Sequence, residues 1–335
     1  MYTIKDVAKL AGVSTSTVSR ALSGNIPVSE ETKAKVMKAV KELNYKPNLM
    51  AKGLKEGKSN VIGLIIPDIQ NPIFPSIVRG IEDAARNNGF NVVLINTDEN
   101  IDNEVAAVNM LKNRWIDGFI FATATSTENS KHIYQLIKEN IPVVLIIRNI
   151  GEDFNSVVTN NCEASYEAVS YMINRGLRKI GIVNGDLNLN LYMERFKGYR
   201  EALADNELEV VDEICFNSSN SGLSCYELLK DYFSKEENRN KIDGIFATND
   251  YKAIEAVRAI KDSGLKVPED ISIMGFDDVK ISSFTDPPLT TVSQPFYEIG
   301  ERSVERLLGL INTKNLTNKK VEVLDSKLTI RNSVI

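Results

Sequence analysis

Residues 3–22 read TIKDVAKLAGVSTSTVSRAL, and this stretch decides how the first part of the 335-residue chain folds. Thr3 is a good N-cap residue, Asp6 stands three residues later, and apolar residues recur at helical spacing as far as Ala11. The pattern predicts a first short helix with one apolar face.

A turn and two further helices follow this segment. Gly12 supplies the left-handed backbone that a sharp turn requires, and Ser14 can cap a second helix over residues 15–22. Ser29 can cap a third helix, which ends before Asn44. Two short helices joined by a glycine turn form a helix-turn-helix arrangement, and three helices of this size can close one small core.

The second helix has a polar face opposite its apolar residues Val18 and Leu22. That face presents Thr15, Ser16, Ser19 and Arg20. In the major groove of DNA, arginine can read guanine, and serine or threonine can bond to either a donor or an acceptor. An ordinary solvated helix face has the same composition, so the residues alone leave both interpretations open.

Charge is divided unevenly along the chain, although the net charge is only -5. Residues 1–58 contain eleven Lys or Arg and five Asp or Glu, whereas residues 59–335 contain 29 and 40. A basic head on an acidic body indicates that the head binds a polyanion, although a solvated lysine-rich helix gives the same count.

Several classes of protein are disfavoured by the sequence. The longest apolar runs, residues 61–67 and 141–147, are far shorter than the roughly 20 residues of a membrane span. The N-terminus has no apolar signal-peptide core, so we expect a cytoplasmic protein without a membrane partner. Cys162, Cys215 and Cys225 form no CxxC pair and are odd in number, which favours packing residues over a disulfide frame or a zinc site.

The sequence lacks the residue patterns on which common enzyme mechanisms depend. The chain has one histidine, His132, which we expect at the surface. It has no GxSxG motif, no P-loop and no GxGxxG motif after a strand. We therefore expect no catalytic residue, no metal site and no cofactor.

From residue 60 onward, short apolar runs alternate with amphipathic helical stretches. Buried strands are predicted at residues 61–66, 91–96, 118–122, 143–147, 179–184, 213–216, 244–248 and 271–275. Helices are predicted at residues 74–88, 102–113, 128–140, 163–175, 194–205, 224–233 and 251–263. This alternation indicates an α/β fold of doubly wound parallel sheets, and its restart at residue 163 implies two lobes.

Polar residues follow five of these strands. Parallel sheets place ligand sites at the carboxyl ends of their strands, so these residues should face one cleft. They are Asp68, Thr123, Asn184, Asn249 and Asp277. Their composition suits a hydroxyl-rich small molecule. Asp or Asn after a strand also often caps the next helix, and that alternative stays open for each single loop.

The head resembles the DNA-binding domain of the LacI family of bacterial transcription regulators. The resemblance is carried by residues 3–8, 12–22, 28–32 and 43–48. It implies that bases are read by Thr15, Ser16 and Arg20. It also implies that phosphates are held, or the head positioned, by Ser14, Ser19, Asn25 and Tyr45.

Motifs similar to the same family continue through the body, at residues 67–74, 79–82, 247–250, 275–278 and 287–292. They imply a two-lobed, periplasmic-binding-protein-like body with an effector in its cleft. By motif position, Phe74 would stack on the effector, Arg195 and Asn249 would hydrogen-bond it, and Asp277 would accept from its hydroxyls. Asp68 and Thr123 complete the expected effector site.

Two positions depart from the family pattern. Ile147 stands where the family often has an acidic residue, and Asn220 lies where it frequently has an aromatic residue opposite Phe74. An ordinary hexose is therefore not favoured. A modified sugar, a nucleoside-like compound and a non-carbohydrate ligand stay open as effectors.

The segment after the head is expected to act as a hinge. Pro47 favours a helix start, but residues 48–55 are fewer than the roughly 12 that an isolated helix needs, and Gly53 weakens the helix by about 1 kcal/mol relative to alanine. We expect this segment to fold only against bound DNA, and a flexible Lys/Gly linker is the alternative that its residues leave open. The resemblance implies that Leu54, together with Ala51, enters the minor groove.

The sequence thus suggests a domain plan. We expect a helix-turn-helix domain at residues 1–46, a hinge at 47–58 and an effector-binding and dimerisation domain at 59–335. Within that domain the first lobe would take residues 59–160 and about 290–322, and the second lobe residues 161–289 and about 323–335.

The expected function is a transcriptional repressor that binds a palindromic operator as a homodimer, under control of a sugar-like effector. By family analogy, the helices near residues 74–88 and 102–113 would form the dimer seam. Some relatives take a protein co-effector at this surface, which the sequence neither indicates nor excludes. The alternative function is that of a solute-binding protein without a DNA role.

Overall fold

The computed structural model describes residues 2–23, 27–45, 59–113, 116–123, 129–151, 153–210, 215–217, 223–313, 316 and 319–335. The chain divides into two compact units, Met1–Ser59 and Asn60–Ile335. The expected hinge at residues 47–58 and the predicted DNA contacts Asn25, Ala51 and Leu54 lie outside the described residues.

The described residues of the first unit form three helices: α1 (Ile4–Ala11), α2 (Thr15–Ser23) and α3 (Glu30–Glu42). α1 begins at the predicted capping box, where the backbone N–H of Thr3 donates to Asp6 Oδ2 at 2.7 Å. The turn into α2 depends on Gly12, whose φ of 65° lies in the left-handed region that side chains disfavour. Ser14 Oγ accepts from the backbone N–H of Thr17 at 3.1 Å and so caps α2.

One valine from each helix fills the centre of this unit. Val7, Val18 and Val36 are fully buried, and Leu22 and Tyr45 pack around them. The burial of Val18 directs the polar side of α2 outward. The predicted helix-turn-helix and its small core are therefore confirmed.

A sheet of six parallel strands forms the first lobe of the second unit. Its strands are β1 (Val61–Ile66), β2 (Asn91–Asn96), β3 (Gly118–Phe121), β4 (Val143–Ile146), β5 (Asn155–Thr159) and β11 (Val321–Leu324). Their order is β11-β5-β4-β3-β1-β2. The helices of this lobe are α4 (Phe74–Asn87), α5 (Ile101–Lys112), α6 (Lys131–Lys138) and α11 (Phe296–Thr313).

A second six-stranded sheet forms the other lobe. Its strands are β6 (Ile180–Asn184), β7 (Cys215–Asn217), β8 (Gly244–Ala247), β9 (Ser272–Asp277), β10 (Thr290–Ser293) and β12 (Lys327–Thr329). Their order is β12-β10-β9-β8-β6-β7, and β12 runs antiparallel to β10. The α-helices of this lobe are α7 (Asn161–Asn174), α8 (Asn190–Asp205), α9 (Cys225–Ser234) and α10 (Asp250–Asp262). The predicted two-lobed α/β architecture is confirmed.

In the described part of the chain, sheet membership changes three times: after Thr159, after Ser293 and after Leu324. The expected crossings at about residues 290 and 322 were therefore misplaced by a few residues. β10 pairs with β9 in the second sheet, and β11 pairs with β5 in the first. Pairing between strands that are distant in sequence decides these boundaries, and local periodicity does not reveal it.

His132 is not at the surface, contrary to the prediction. Its side chain is 11% exposed, and its Nε2 lies 2.5 Å from Oε1 of the buried Glu104. The ring of Phe121 meets the imidazole edge-on. The position of α6 against its neighbours, which the spacing of apolar residues does not specify, covers this side chain. Among the residues described, no helix is long and apolar enough to cross a bilayer.

Replacing Gly80 by alanine is expected to destabilise the second unit by at least about 1–3 kcal/mol, because it overpacks a helix contact. α4 and α11 cross so closely that a Cβ at Gly80 would lie 2.1 Å from the carbonyl oxygen of Tyr297. Denaturant unfolding measures the loss. Gly309 is the matched control, because it lies in α11 with nothing within 4 Å of an added Cβ. Gly309→Ala should leave stability unchanged or raise it, and equal midpoints for the two variants would contradict the prediction.

Candidate functional site

The first candidate site is the outward face of α2. Thr15, Ser16 and Arg20 are exposed there, and Ser19 is half-buried. The Oγ atoms of Ser14 and Ser16 lie 2.7 Å apart, so the base-reading candidate Ser16 is tied to the helix cap. An arginine and short polar side chains on an exposed helix form a surface that can approach base edges in a major groove.

Two residues that are predicted to contact DNA phosphates also have structural roles within the head. Ser14 caps α2 through its hydroxyl, as described above. The N–H of Tyr45 donates to the carbonyl of Val40 at 2.9 Å, and the half-buried ring packs on the head core. Tyr45 therefore fixes the end of α3, while any phosphate contact by these residues stays a prediction.

The second candidate site is a cavity of about 530 Å³ between the two lobes of the body. This volume is typical of small-molecule sites. From the first lobe it is lined by residues that include Asp68, Asn71, Phe74, Glu99 and Arg148. From the second lobe and the crossing after β10 it is lined by residues that include Tyr192, Arg195, Asn249, Lys252, Asp277 and Gln294.

Arg195 is held rigidly at the floor of this cleft. Its guanidinium is buried, and Nε donates to Asn161 Oδ1 at 2.8 Å while Nη1 donates to the carbonyl of Thr248 at 2.5 Å. Nη1 also lies 3.4 Å from Asp277 Oδ1, and the group stacks 3.8 Å above the ring centroid of Phe276. A buried, pre-oriented guanidinium beside a carboxylate can form charge-assisted hydrogen bonds to ligand hydroxyls.

Two carboxylates, Asp277 at the end of β9 and Asp250 at the start of α10, have raised pKa values. Burial raises the pKa of Asp277 to about 6, although the charge of Arg195 and a hydrogen bond from Gln294 oppose the shift. Burial, together with the charge of Asp277, raises the pKa of Asp250 to about 7. Asp250 accepts from Ser282 Oγ at 2.6 Å and does not line the cavity. Asp277 is therefore the carboxylate whose protonation a ligand would sense directly.

Arg148 forms the opposite wall and was missed by the sequence analysis. Its two terminal nitrogens donate to the two carboxylate oxygens of Glu99, at 2.9 and 2.5 Å. The residue before it, Ile147, has a φ of 65°, which turns the chain sharply after β4. Because Arg148 comes directly after a predicted strand, the rule of strand ends could have identified it.

Five of the six predicted effector residues line the cavity: Asp68, Phe74, Arg195, Asn249 and Asp277. Thr123 is not among the lining residues described. It is buried, and its carbonyl lies 3.4 Å from Arg148 Nη1. Asn249 also caps α10, since its Oδ1 accepts from the N–H of Lys252 at 2.9 Å, so the capping interpretation holds for this residue too.

Tyr192 supplies an aromatic ring that the sequence analysis did not identify. It lines the cavity, and its ring packs against Gly185, where an added Cβ would lie 2.4 Å away. The ammonium of Lys252 lies 5.5 Å from the ring centroid. Tyr192 lies at the start of α8, where helical periodicity gives no sign that it reaches the cleft. Among the described residues, no group of three or more His, Cys, Asp or Glu is arranged to hold a metal ion.

Comparison with known families agrees with both halves of the molecule. Residues 3–48 match the sequence profile of bacterial regulatory proteins of the lacI family. Residues 59–332 match the profile of periplasmic binding proteins and the sugar binding domain of the LacI family. Since these profiles together cover most of the chain, the protein belongs to the LacI family and is a DNA-binding transcriptional regulator.

Individual relatives align over almost the whole chain. The chain is 34% identical over 335 residues to the HTH-type transcriptional regulator RegA of Clostridium saccharobutylicum, covering 99% of both chains. It is 36% identical over 332 residues to the ribose operon repressor of Halalkalibacterium halodurans, covering 99% of this chain and 96% of the relative. Among solved structures it is similar to the lac repressor dimer bound to operator and the anti-inducer ONPF, with a TM-score of 0.88 and 28% identity over 100% of this chain and 99% of that one.

Proposed function

We propose that this protein is a repressor that binds a palindromic operator as a homodimer and is controlled by a neutral, hydroxyl-rich effector of the sugar class. The observation that carries the proposal is the buried pair of Arg195 and Asp277 at the floor of an inter-lobe cleft. Together they offer hydrogen-bond donors and acceptors of the kind that polyhydroxylated ligands need. Aromatic rings of Phe74 and Tyr192 supply the apolar faces on which a sugar ring can stack.

The charges of the cleft favour an effector without a phosphate group. Arg148 is paired with Glu99 and Arg195 with Asp277, so both guanidinium groups already face a carboxylate. Further carboxylates line the same cavity, including Asp68. A phosphate would meet these negative charges, and displacing the buried Asp277 from Arg195 would leave a charge without compensation.

In this proposal the head reads DNA through Thr15, Ser16 and Arg20, with phosphate or positioning contacts from Ser14, Ser19, Asn25 and Tyr45. Residues 47–58 form the hinge, and Leu54 and Ala51 enter the minor groove. Effector binding reorients the two lobes and so changes the separation of the paired hinges. Coupling of this kind is reciprocal, so operator DNA changes effector affinity by the same factor.

The surface that supports homodimerisation includes α4, α5 and the edge strand β2. Val93, Ile101 and Met110 on β2 and α5 are 38%, 42% and 43% exposed. Exposed large apolar side chains are typical of an interaction surface when they form one patch. We place the dimer seam here.

We further propose that the cleft binds its ligand without converting it, because the relatives described above are regulators. Action on chromosomal DNA places the protein in the cytoplasm. Recovery of unchanged effector after prolonged incubation with the protein is the expected result, and net turnover would contradict this part of the proposal.

The function is tested by measuring operator binding and thermal unfolding together. A palindromic operator is first obtained by selection from random duplexes. D-Ribose, a panel of free sugars and nucleosides, and D-ribose 5-phosphate are then added. We expect at least one neutral compound to raise the unfolding temperature and change operator affinity. The phosphate ester should do neither. Failure to select any specific duplex would refute the repressor, and stabilisation by the phosphate ester alone would refute the effector class.

A further inference from the structure

Gln294 connects the two lobes through the two ends of its amide. Thr159 Oγ1 donates to Gln294 Oε1 at 2.6 Å, and Gln294 Nε2 donates to Asp277 Oδ1 at 2.6 Å. Thr159 is the last residue of β5 in the first lobe, whereas Asp277 is the last residue of β9 in the second. All three side chains are at least nine-tenths buried. The cleft carboxylate is thus joined to the first lobe by two short hydrogen bonds.

A second route closes these contacts into a ring. Arg195, which faces Asp277, donates to Asn161 Oδ1, and Asn161 Nδ2 donates to the carbonyl of Thr159 at 3.3 Å. The ring therefore passes through the first crossing between the lobes, at residues 159–161, and through the second at Gln294. In this ring Asp277 is hydrogen-bonded to Gln294, and Arg195 is hydrogen-bonded to Asn161. Each of the two charged side chains is therefore held by a residue at a crossing between the lobes.

We propose that Thr159, which does not line the effector cleft, is a positioning residue that orients Gln294 toward Asp277 and thereby couples the cleft carboxylate to the arrangement of the lobes. This inference rests on the proposed function for its meaning, since Asp277 is the proposed acceptor for the effector. The composition of residues 159–161 does not indicate this role. The coupling depends on the folded contact of Thr159 with Gln294, which lies 135 positions later in the chain.

The direction of the amide follows from the donor at Thr159. A hydroxyl can donate to Oε1, which leaves the N–H group of the amide to face the carboxylate. Without that donor, the amide of Gln294 would rotate so that Oε1 accepts from another group. Asp277 would then lose its hydrogen bond from Nε2. Hydrogen bonds to an ionised carboxylate stabilise its charged form, so their loss raises its pKa.

Other charged groups act on Asp277 from the neighbouring elements and stay unchanged when Thr159 is altered. Arg195 on α8 and Lys252 on α10 lower the pKa of Asp277 by their charge. Asp250, also on α10, is the like charge that faces it. A change in the titration of Asp277 on altering Thr159 would therefore arise from Gln294.

The same bonds respond to lobe movement. Thr159 and Asp277 belong to different lobes, so a reorientation of the lobes lengthens or breaks the bonds that pass through Gln294. Loss of these bonds weakens Asp277 as an ionised acceptor. Effector that requires this acceptor then favours one lobe arrangement over the other, which is the condition for coupling between the two sites.

The test is a double-mutant cycle that needs no effector. Thr159→Val removes the hydroxyl at nearly constant volume, Thr159→Ser retains it, and Asp277→Asn removes the titrating group. Unfolding temperatures of the full-length protein are measured at pH 5 and pH 8 for wild type, each single variant and the Thr159→Val/Asp277→Asn double variant. Asp250, which titrates in the same range, is present in all of them.

Because the folded pKa of Asp277 lies above the ordinary value of 3.8, its ionisation lowers stability as pH rises from about 4 to 6. Thr159→Val is expected to raise the pKa of Asp277 further, so stability continues to fall at higher pH. We expect its loss of unfolding temperature to be about 2–4 °C larger at pH 8 than at pH 5, the equivalent of a one-unit rise in pKa. Thr159→Ser should match wild type at both pH values. In the Asp277→Asn background, Thr159→Val should lower the unfolding temperature by the same amount at pH 5 and pH 8.

A loss of equal size at pH 5 and pH 8 in the wild-type background would overturn the proposal, because Thr159 would then act through packing alone. A pH-dependent loss that persists in the Asp277→Asn background would overturn it too, since another group would carry the effect. The experiment uses neither operator nor effector. Failure of the proposed function would therefore show in the operator and ligand measurements, and failure of this inference only in the cycle.

Discussion

Changing Arg20 to alanine is expected to remove specific operator recognition while leaving nonspecific DNA binding almost unchanged. Arg20 is exposed on α2, on the side opposite the buried Val18. A bidentate contact from arginine to guanine contributes about 1–3 kcal/mol of discrimination, and a homodimer makes two of them, for a total of about 2–6 kcal/mol. Phosphate contacts elsewhere on the basic head supply most of the nonspecific affinity and are retained.

Titrations of a selected operator and a scrambled duplex at one salt concentration measure this loss. Arg20→Lys is the matched control, since it keeps the charge but lacks the planar, rigid pair of donors, and it should resemble the alanine variant on the operator. Thermal unfolding of the body should be the same in all three proteins. Unchanged operator affinity in Arg20→Ala would show that this residue does not read bases.

Hydrogen exchange supplies a second readout for the same variant. If residues 48–55 fold only on the operator, they should be protected in the wild-type complex and unprotected in the free protein, because a segment this short is unstable alone. Arg20→Ala mixed with the same duplex should lack that protection. Equal protection with and without DNA would contradict the folding of the hinge on the operator.

Changing Asp277 to asparagine is expected to abolish the response to effector while sparing operator binding. The substitution keeps the shape of the side chain but removes a charged acceptor beside Arg195. A hydrogen bond to a charged group contributes about 1.5–3 kcal/mol, so affinity should fall at least tenfold for each ligand hydroxyl that Asp277 accepts. The change lies in the body, so the DNA-reading face of α2 is unaltered.

The pH profile of wild type separates this role from simple damage to the cleft. Hydroxyl donors prefer an ionised acceptor, and burial raises the pKa of Asp277 to about 6, so effector affinity should rise as pH increases through about 6. That rise should be absent in Asp277→Asn. Asp98→Asn is the matched control: Asp98 lines the same cavity and is exposed, and its φ of 54° is a conformation that asparagine tolerates.

Calorimetry with the effector found in the ligand screen measures both variants between pH 5 and pH 8. Asp98→Asn should keep wild-type affinity and its pH profile. If effector still changes the operator affinity of Asp277→Asn, the effector site does not lie at the floor of the cleft. A flat profile in wild type would show that the ionisation of Asp277 does not govern binding.

The fold of the head could be predicted from the amino-acid sequence alone, because its signals are local. A capping residue, an apolar spacing and a glycine turn each act within a few residues, and the structure has Thr3, Gly12 and Ser14 in those roles. The main strands of the body were equally visible, since buried parallel strands are continuous apolar runs. Asp277 and Asn249 could be predicted for the cleft because strand ends in a parallel sheet share one edge.

The other groups that reach the cleft, and the way the lobes are joined, become visible only in the folded contacts. Tyr192 lies in the first turn of a helix and Gln294 follows a strand of four residues, and neither has a local pattern that distinguishes it from a loop residue. His132 is covered because α6 packs against its neighbours, not because of its own spacing. The contact between Thr159 and Gln294 joins residues far apart in the chain, and such contacts depend on the packing of both sheets rather than on any local preference.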